Sequence, residues 1–269
     1  VSTNPINSPL VSVVISTFNR FPALMQALES VRRQTHRNLE IIVVNDGSDD
    51  PRYFDKRPDN VVWIDLDPNS RRHLGYPCPG YVKNRGLDVS RGEYIAILDD
   101  DDLWLPDKIS LQLEAMIAKG LEMCCTEGYM GDGPYDQNRD YPVYHREFYG
   151  NFCADFFSER GRRWTGQLPE TFSRELIEEH NFVIHSSVLI KRELLDRVGF
   201  YREFPLGGVR EGGEFRAEDW DLWMRCAAFG DFLHLNTPLV YYDGRLSERK
   251  FGRRLVSKLK RIFPGSVTG

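Results

Sequence analysis

The sequence predicts an α/β protein: a mostly parallel central sheet flanked by helices, interrupted by one irregular insertion and followed by a basic tail. Three observations carry this expectation. Short apolar runs rich in β-branched residues recur along the chain, and several end in turn-forming residues. Segments with apolar residues at helical spacing lie between them, an order that builds parallel sheets covered by helices. The 269 residues, 41% of them hydrophobic, suffice for one sizeable core.

VSVVIST (Val11–Thr17) is the first buried strand. Pro22 then opens a helix with Leu24, Ala27, Leu28 and Val31 on one face. EIIVVNDGS is a second strand that runs into an Asn-Asp-Gly-Ser turn, and Val61–Asp67 is a third. Pro79–Val89 reads as a helix and YIAIL as the fourth strand. Pro106 opens the next helix, which Gly120 closes, and LEMCC is a fifth strand. From about Gly128 to Asn181 the rhythm breaks down into an irregular stretch rich in aromatics and arginines. HSSVLIKRELLDRVGFY restores a strand followed by a helix, and AEDWDLWMRCAAFG is a helix with acids in its first turn. FLHLN and LVYY are expected as two final short strands.

Composition narrows the function classes. The five cysteines form no C-x-x-C pair and are odd in number, so neither a zinc site nor a disulfide framework is expected, and a reducing, cytoplasmic compartment fits. No apolar run approaches the ~18 residues of a membrane span, and VSTNPINSPL lacks the regions of a signal peptide. The formal charge is −5, yet Arg245 to Phe263 holds eight basic residues against one acid, which leaves −12 on the rest. Phe251, Leu255, Leu259, Ile262 and Phe263 form an apolar stripe there. Residues 245–269 therefore read as a basic amphipathic helix, lying either on an anionic membrane face or on the protein's own acidic body.

The stretch YIAILDDDDLWLP concentrates the chemistry. Four adjacent carboxylates at a strand tip are tolerable when a divalent cation neutralises them, and hard oxygen ligands suit Mn2+ or Mg2+ bridging to a diphosphate. The plain alternative is that some of them cap the next helix. In parallel sheets ligands bind beyond the carboxyl ends of the strands. Thr17–Arg20, Asn45–Gly47 and Asp99–Asp102 all follow such ends and are expected along one edge. The chain has no G-x-x-x-x-G-K-[ST], no G-x-G-x-x-G after the first strand, and neither H-E-x-x-H nor G-x-S-x-G.

The stretches VSVVISTFNR, LESVRRQTHRNLEIIVVNDGSDD, NRGLDVSRGEYIAILDDDDLWLPDKI and EDWDLWMR resemble successive motifs of family 2 glycosyltransferases, inverting enzymes of the Rossmann-like GT-A fold. The likeness covers roughly Val11–Gly120 and His185–Phe229. It implies that residues 1–244 are one glycosyltransferase domain, with 11–120 the nucleotide-sugar half and 121–244 the acceptor half carrying the insertion. Thr17, Asn19 and Arg20 would then line the nucleotide pocket, and Asp46 would bond the base, commonly uracil. Asn84 and Arg85 would face the nucleotide or diphosphate. Asp99 would face the ribose or sugar and share the metal with Asp101, with Asp100 close by and Asp102 the N-terminal acid of the next helix. Asp219 would be the catalytic base and Glu218 its substitute, although such acids also commonly serve helix N-termini.

One departure from the family pattern stands out. Some relatives supply a histidine as third metal ligand after the late strand, and VYYDGRLSE has none. Asp243 or waters would complete the shell, with Arg245 at the diphosphate, while His185 and His234 read as structural. The activity implied is metal-dependent transfer from a UDP-sugar or similar donor to a glycan or lipid-linked acceptor in polysaccharide biosynthesis. No nucleic-acid partner is expected. The rings and arginines of the insertion suit an anionic sugar acceptor, or else pack a subdomain. A sugar-phosphate nucleotidyltransferase and a non-catalytic carbohydrate-binding protein are the competing readings.

Overall fold

The computed structural model describes residues 8–211 and 214–244. The basic tail, including Arg245, lies outside the described residues. In chain order the donor-side elements are β1 (Val11–Thr17), α1 (Phe21–Arg32), β2 (Leu39–Asn45), α2 (Arg52–Asp55), β3 (Val62–Asp65), α3 (Ser70–Leu74), α4 (Pro79–Val89) and β4 (Tyr94–Asp99). There follow β5 (Leu103–Trp104), α5 (Lys108–Lys119), β6 (Met123–Gly131), α6 (Gly150–Glu159), β7 (Thr171–Phe172) and α7 (Arg174–Glu179). Last come β8 (Leu189–Lys191), α8 (Arg192–Val198), the β9 (Val209–Glu211) and β10 (Glu214–Arg216) hairpin, α9 (Glu218–Ala227) and β11 (Phe232–Asp243).

The main sheet runs β3-β2-β1-β4-β8-β6-β11-β5, with β7 beside β11. The first four strands are parallel. β8 enters antiparallel between β4 and β6, and β6 pairs parallel with β11. The expected mostly parallel, helix-covered sheet is therefore the fold. Strand side chains alternate between two buried layers, as the two-residue period of a strand requires. Val11, Val13 and Ile15 face α1 and α5, whereas Val14, Ile42 and Val44 face α4 and the helices of the second half. Helix α4 lies so close to β1 that a Cβ on Gly86 would come within 2.5 Å of Val14. Glycine there is a packing requirement.

The carboxyl ends of the parallel strands are level. Thr17 is opposite Asn45, Asn45 is opposite Asp65, and Asp99 is opposite Ser16. This register places the three polar clusters of the first half on one edge.

Two expectations need correction. The insertion is more regular than its composition suggests: a π-helical turn (Tyr144–Phe148), α6, β7 and α7 occupy much of it. Alternating charge and aromatics hid its periodicity, but α6 buries Cys153, Phe156 and Phe157 on one face. The last two strands are one strand, β11, whose register shifts between Leu235 and Pro238 and again between Pro238 and Val240. Pro238 has no N–H to give to the ladder, so the strand bulges there and resumes.

Candidate active site

The donor-side floor is built from the loops after β1 and β2. Thr17 is buried, with its hydroxyl 2.7 Å from that of Tyr53. Asn19 adopts a left-handed backbone (φ 51). It is tied to the next loop because its N–H donates to Ser48 Oγ at 2.9 Å and its side chain accepts from Asp49 N–H at 3.3 Å. Gly47 turns the chain at φ 69, where a Cβ would press on Asn69 at 2.8 Å. The turn points Asp46 at the start of α3, and its carboxylate accepts from the N–H and the hydroxyl of Ser70, both at 2.6 Å. Burial pushes the Asp46 carboxyl up from its ordinary range, against the pull of the two Ser70 bonds.

Above this floor lies the aspartate run. Asp99 ends β4, and carboxylate oxygens of Asp99, Asp101 and Asp102 fall within 4.8 Å of one another. Three hard oxygen donors at that spacing fit Mn2+ or Mg2+. Arg20 donates from one nitrogen to Asp100 at 2.9 Å and to Asp101 at 2.7 Å. Burial works against the Arg20 charge, but Asp100, Asp101 and Asp99 together hold its pKa above the ordinary value. Asp102 departs from its expected role as a helix cap. Helix α5 begins only at Lys108, after β5, and Asp102 is buried and accepts from Ser186 Oγ. The same Ser186 oxygen accepts from Asp99 N–H at 3.1 Å, so one serine ties both ends of the run.

The opposite wall comes from the helices. Lys83, on α4, is 3% exposed, and its ammonium lies 3.5 Å from Asp99 Oδ1 and 3.9 Å from Glu218 Oε1. A lysine this buried normally requires a paired charge, and here it has two. His185 Nδ1 lies 3.3 Å from Asp99 Oδ2, and its Nε2 is 3.0 Å from the Tyr201 hydroxyl. Glu218 and Asp219 form the first turn of α9. Burial raises the Glu218 carboxyl, with Lys83 pulling it back down. Asp219 accepts from Trp220 N–H at 2.7 Å and from the Asn181 amide at 3.3 Å.

The remaining sequence candidates are distributed differently. Asn84 exchanges two bonds with the backbone of Tyr201, at 2.9 and 3.0 Å, so its amide clamps that residue against α4. Arg85 is 3.3 Å from Asp88, with its guanidinium over the Tyr81 ring. Asp243 accepts from Gly133 N–H at 3.2 Å and, with Asp101, Leu103, Tyr135 and Tyr241, lines a cleft of about 180 Å3. Asp221, the third acid of EDWD, is turned inward onto Arg202 and Arg225. Sequence reasoning missed Lys83, Ser186 and Tyr201, and it set His185 aside. The available signal for Lys83 was a lone lysine on the buried face of a helix that leads to the edge.

The residues thus form an oxygen-donor triad, a buried cation and a carboxylate pair around one edge. The family model for glycosyl transferase family 2 matches residues 12–57 and 73–199. An uncharacterised glycosyltransferase of Rickettsia typhi is 34% identical over 236 residues, covering 88% of this chain and 62% of the relative. One of Methanocaldococcus jannaschii is 25% identical over 234 residues, covering 83% and 66%. This chain therefore spans about two thirds of the length of those relatives. The α/β fold is shared with two solved structures. S. aureus TarS 1-349 in complex with UDP has a TM-score of 0.58 at 18% identity, covering 90% of this chain and 62% of that one. The mannosyltransferase PcManGT of Pyrobaculum calidifontis, in complex with GDP-Man and Mn2+, has a TM-score of 0.58 at 17% identity, covering 100% and 68%. Matched by the family model over most of its length, the chain belongs to glycosyl transferase family 2.

Proposed function

We propose that the protein is a metal-dependent, inverting glycosyltransferase. It moves a sugar from a nucleotide-diphosphate sugar, with uridine the favoured base, to a hydroxyl of a glycan or lipid-linked acceptor. The observation that carries this reading is the meeting of the Asp99–Asp101–Asp102 oxygens with the Glu218–Asp219 pair through the single ammonium of Lys83. Residues 11–120 hold the donor and 121–244 the acceptor. The UDP of the TarS complex and the Mn2+ of the PcManGT complex support the donor class and the metal.

Thr17, Asn19 and Asp46 receive the nucleoside on the floor of the edge. Arg20 and Lys83 present positive charge toward the diphosphate, and Asp99 meets the ribose or sugar. A divalent cation, Mn2+ or Mg2+, held by Asp99, Asp101 and Asp102 would supply charge that stabilises the departing diphosphate. Asp219 takes the proton of the acceptor hydroxyl as its oxygen attacks the anomeric carbon. The bond to the diphosphate breaks on the opposite face, its electron pair leaves with the diphosphate, and the anomeric centre inverts. The Trp220 N–H and the Asn181 amide fix the direction of the Asp219 carboxylate. The apolar stripe and positive charge of residues 245–263 suit a membrane-borne acceptor.

The test is release of nucleoside diphosphate from a panel of UDP- and GDP-sugars with Mn2+, Mg2+ or EDTA. The expected result is metal-dependent release and transfer. Asp219→Asn should abolish transfer while leaving nucleotide binding within about twofold. Normal turnover by that variant would sink the base assignment. Pyrophosphate release from a nucleoside triphosphate and a sugar phosphate would instead identify a nucleotidyltransferase. Saccharide binding with no turnover on any donor would identify a binding protein.

A further inference from the structure

Antiparallel pairing sets the start of β8 beside the end of β4, since Tyr94 is opposite Lys191 and Ala96 opposite Leu189. The same register carries the 3-10 helical turn His185–Ser187, just before β8, to the root of the aspartate run. This turn is locked from several sides. The Trp104 indole N–H donates to the Ser186 carbonyl at 2.7 Å, and the Gln112 amide donates to the Ser187 carbonyl at 2.8 Å. The Ser187 hydroxyl donates to the Ile184 carbonyl at 2.7 Å and accepts from Thr126 N–H at 3.2 Å. Ser186, Ser187 and Gln112 are wholly buried, where each such bond is costly to lose.

The two serines use their hydroxyls differently. Ser187 bonds backbone, whereas Ser186 turns to the acids. The single hydroxyl proton of Ser186 goes to Asp102 Oδ2, and its oxygen accepts from Asp99 N–H. Asp102 N–H in turn donates to the Asp99 carbonyl at 3.1 Å, so the run is folded into a loop closed around Ser186. Asp101 is held differently, by the partly exposed Arg20. Like charge on Asp99 and Asp101 drives the Asp102 carboxylate to turn away from them, and a hydroxyl fixed by the turn opposes that rotation. We propose that Ser186 is a positioning residue for the divalent cation, holding the Asp102 carboxylate in place beside the Asp99 and Asp101 oxygens before the ion arrives. This rests on the metal-dependent transferase reading above and deepens it, because the donor spacing is then set by the turn before β8 and not by the aspartate run alone. A merely structural serine would satisfy the buried Asp99 N–H and support the fold without acting on the metal.

A double-mutant cycle read as Mn2+ affinity separates the two roles, using electron paramagnetic resonance titration of the full chain with UDP. Ser186→Ala should weaken Mn2+ about fivefold, the order of one hydrogen bond to a charged group. In an Asp102→Ala background the same change should weaken Mn2+ by less than about twofold, because the carboxylate it positions is gone. Ser187→Ala, which removes bonds to backbone, should lower the melting temperature and leave Mn2+ affinity within about twofold. Should Ser186→Ala fail to fold, Ser186→Cys, similar in shape but a weak donor, takes its place in the cycle. Equal losses with and without the Asp102 carboxylate overturn the proposal, as does a loss of Mn2+ affinity from Ser187→Ala equal to that from Ser186→Ala. Those results with a working donor panel would overturn this proposal alone. Failure of the donor panel with the coupling between Ser186 and Asp102 intact would overturn the transferase reading alone.

Discussion

The ammonium of Lys83 lies 3.5 Å from Asp99, inside the protein and on the helix that packs against β1 and β2. The same ammonium is 3.9 Å from Glu218. One cation therefore stands between the acids at the strand ends and the acids of α9, and its removal would leave two carboxylates facing each other across a largely dry space. Lys83→Met is expected to lower kcat/KM for the donor at least tenfold, about 1.4 kcal/mol. Lys83→Arg should recover part of the loss. Steady-state kinetics on both variants check this, and an unchanged kcat/KM for methionine would refute it.

Arg20 occupies Asp100 and Asp101 through one nitrogen, so it competes with a divalent cation for Asp101. Arg20→Ala should tighten Mn2+ binding severalfold in the absence of nucleotide. The same change should weaken UDP binding, because the guanidinium then no longer meets the diphosphate. Mn2+ titration followed by electron paramagnetic resonance, with and without UDP, reads both effects. Parallel changes in the two affinities would contradict the competition.

Asp102 is buried, tied to Ser186, and within reach of the Asp99 and Asp101 oxygens. Asp102→Asn keeps the shape and removes the charge. It should weaken Mn2+ about tenfold, as Asp101→Asn should, while Asp107→Asn at the true start of α5 should leave Mn2+ affinity unaltered. Metal affinity that survives Asp102→Asn would return Asp102 to a purely structural role.

His234 offers a pH test away from the edge. Its ring is buried and stacked on Phe172 at 4.8 Å, with the Glu127–His145 pair nearby. Burial pushes its pKa down to about 4, with Glu127 opposing and His145 adding to the fall. The unfolded chain takes up this proton near the ordinary value of about 6.5. Between those values the unfolded state binds more protons, so stability is complete above the upper value and is lost as pH falls toward the lower one. The contribution is about 3 kcal/mol by the size of the shift. Urea melts at about pH 7.5 and about pH 4.5 should show His234→Phe losing correspondingly less stability than the wild type on acidification.

The sheet was legible because its strands are buried on both faces and read as unbroken apolar runs ending in turns. VSVVIST and EIIVVN leave little choice of element. The edge was legible for the same reason, since parallel strands bring their ends together. What the sequence hid are contacts made between distant segments. Nothing near Asp102 indicates that Ser186, 84 residues later, would draw it inward. Lys83 and His185 looked like ordinary helix and strand-end residues until α4 and the turn before β8 placed both on Asp99. The insertion was obscure because its helices take their apolar faces from mixed aromatic stretches, in which helical spacing is easily lost.

The short strand β8 has a bearing on how the chain is made. Among the described residues it is the one strand between β4 and β6, pairing with each through two or three residues, and it arrives after the whole insertion has been synthesised. Until Leu189–Lys191 emerge from the ribosome, β4 keeps an open edge, and β6 has neither of its sheet neighbours, since β11 is made later still. The early half can assemble from near neighbours in sequence, but the final closure waits on a segment far downstream. An interrupted chain ending within the insertion would carry those edges exposed, ready to pair with another copy. Fusions and truncations that stop before residue 191 should thus be judged by aggregation as well as by lost activity.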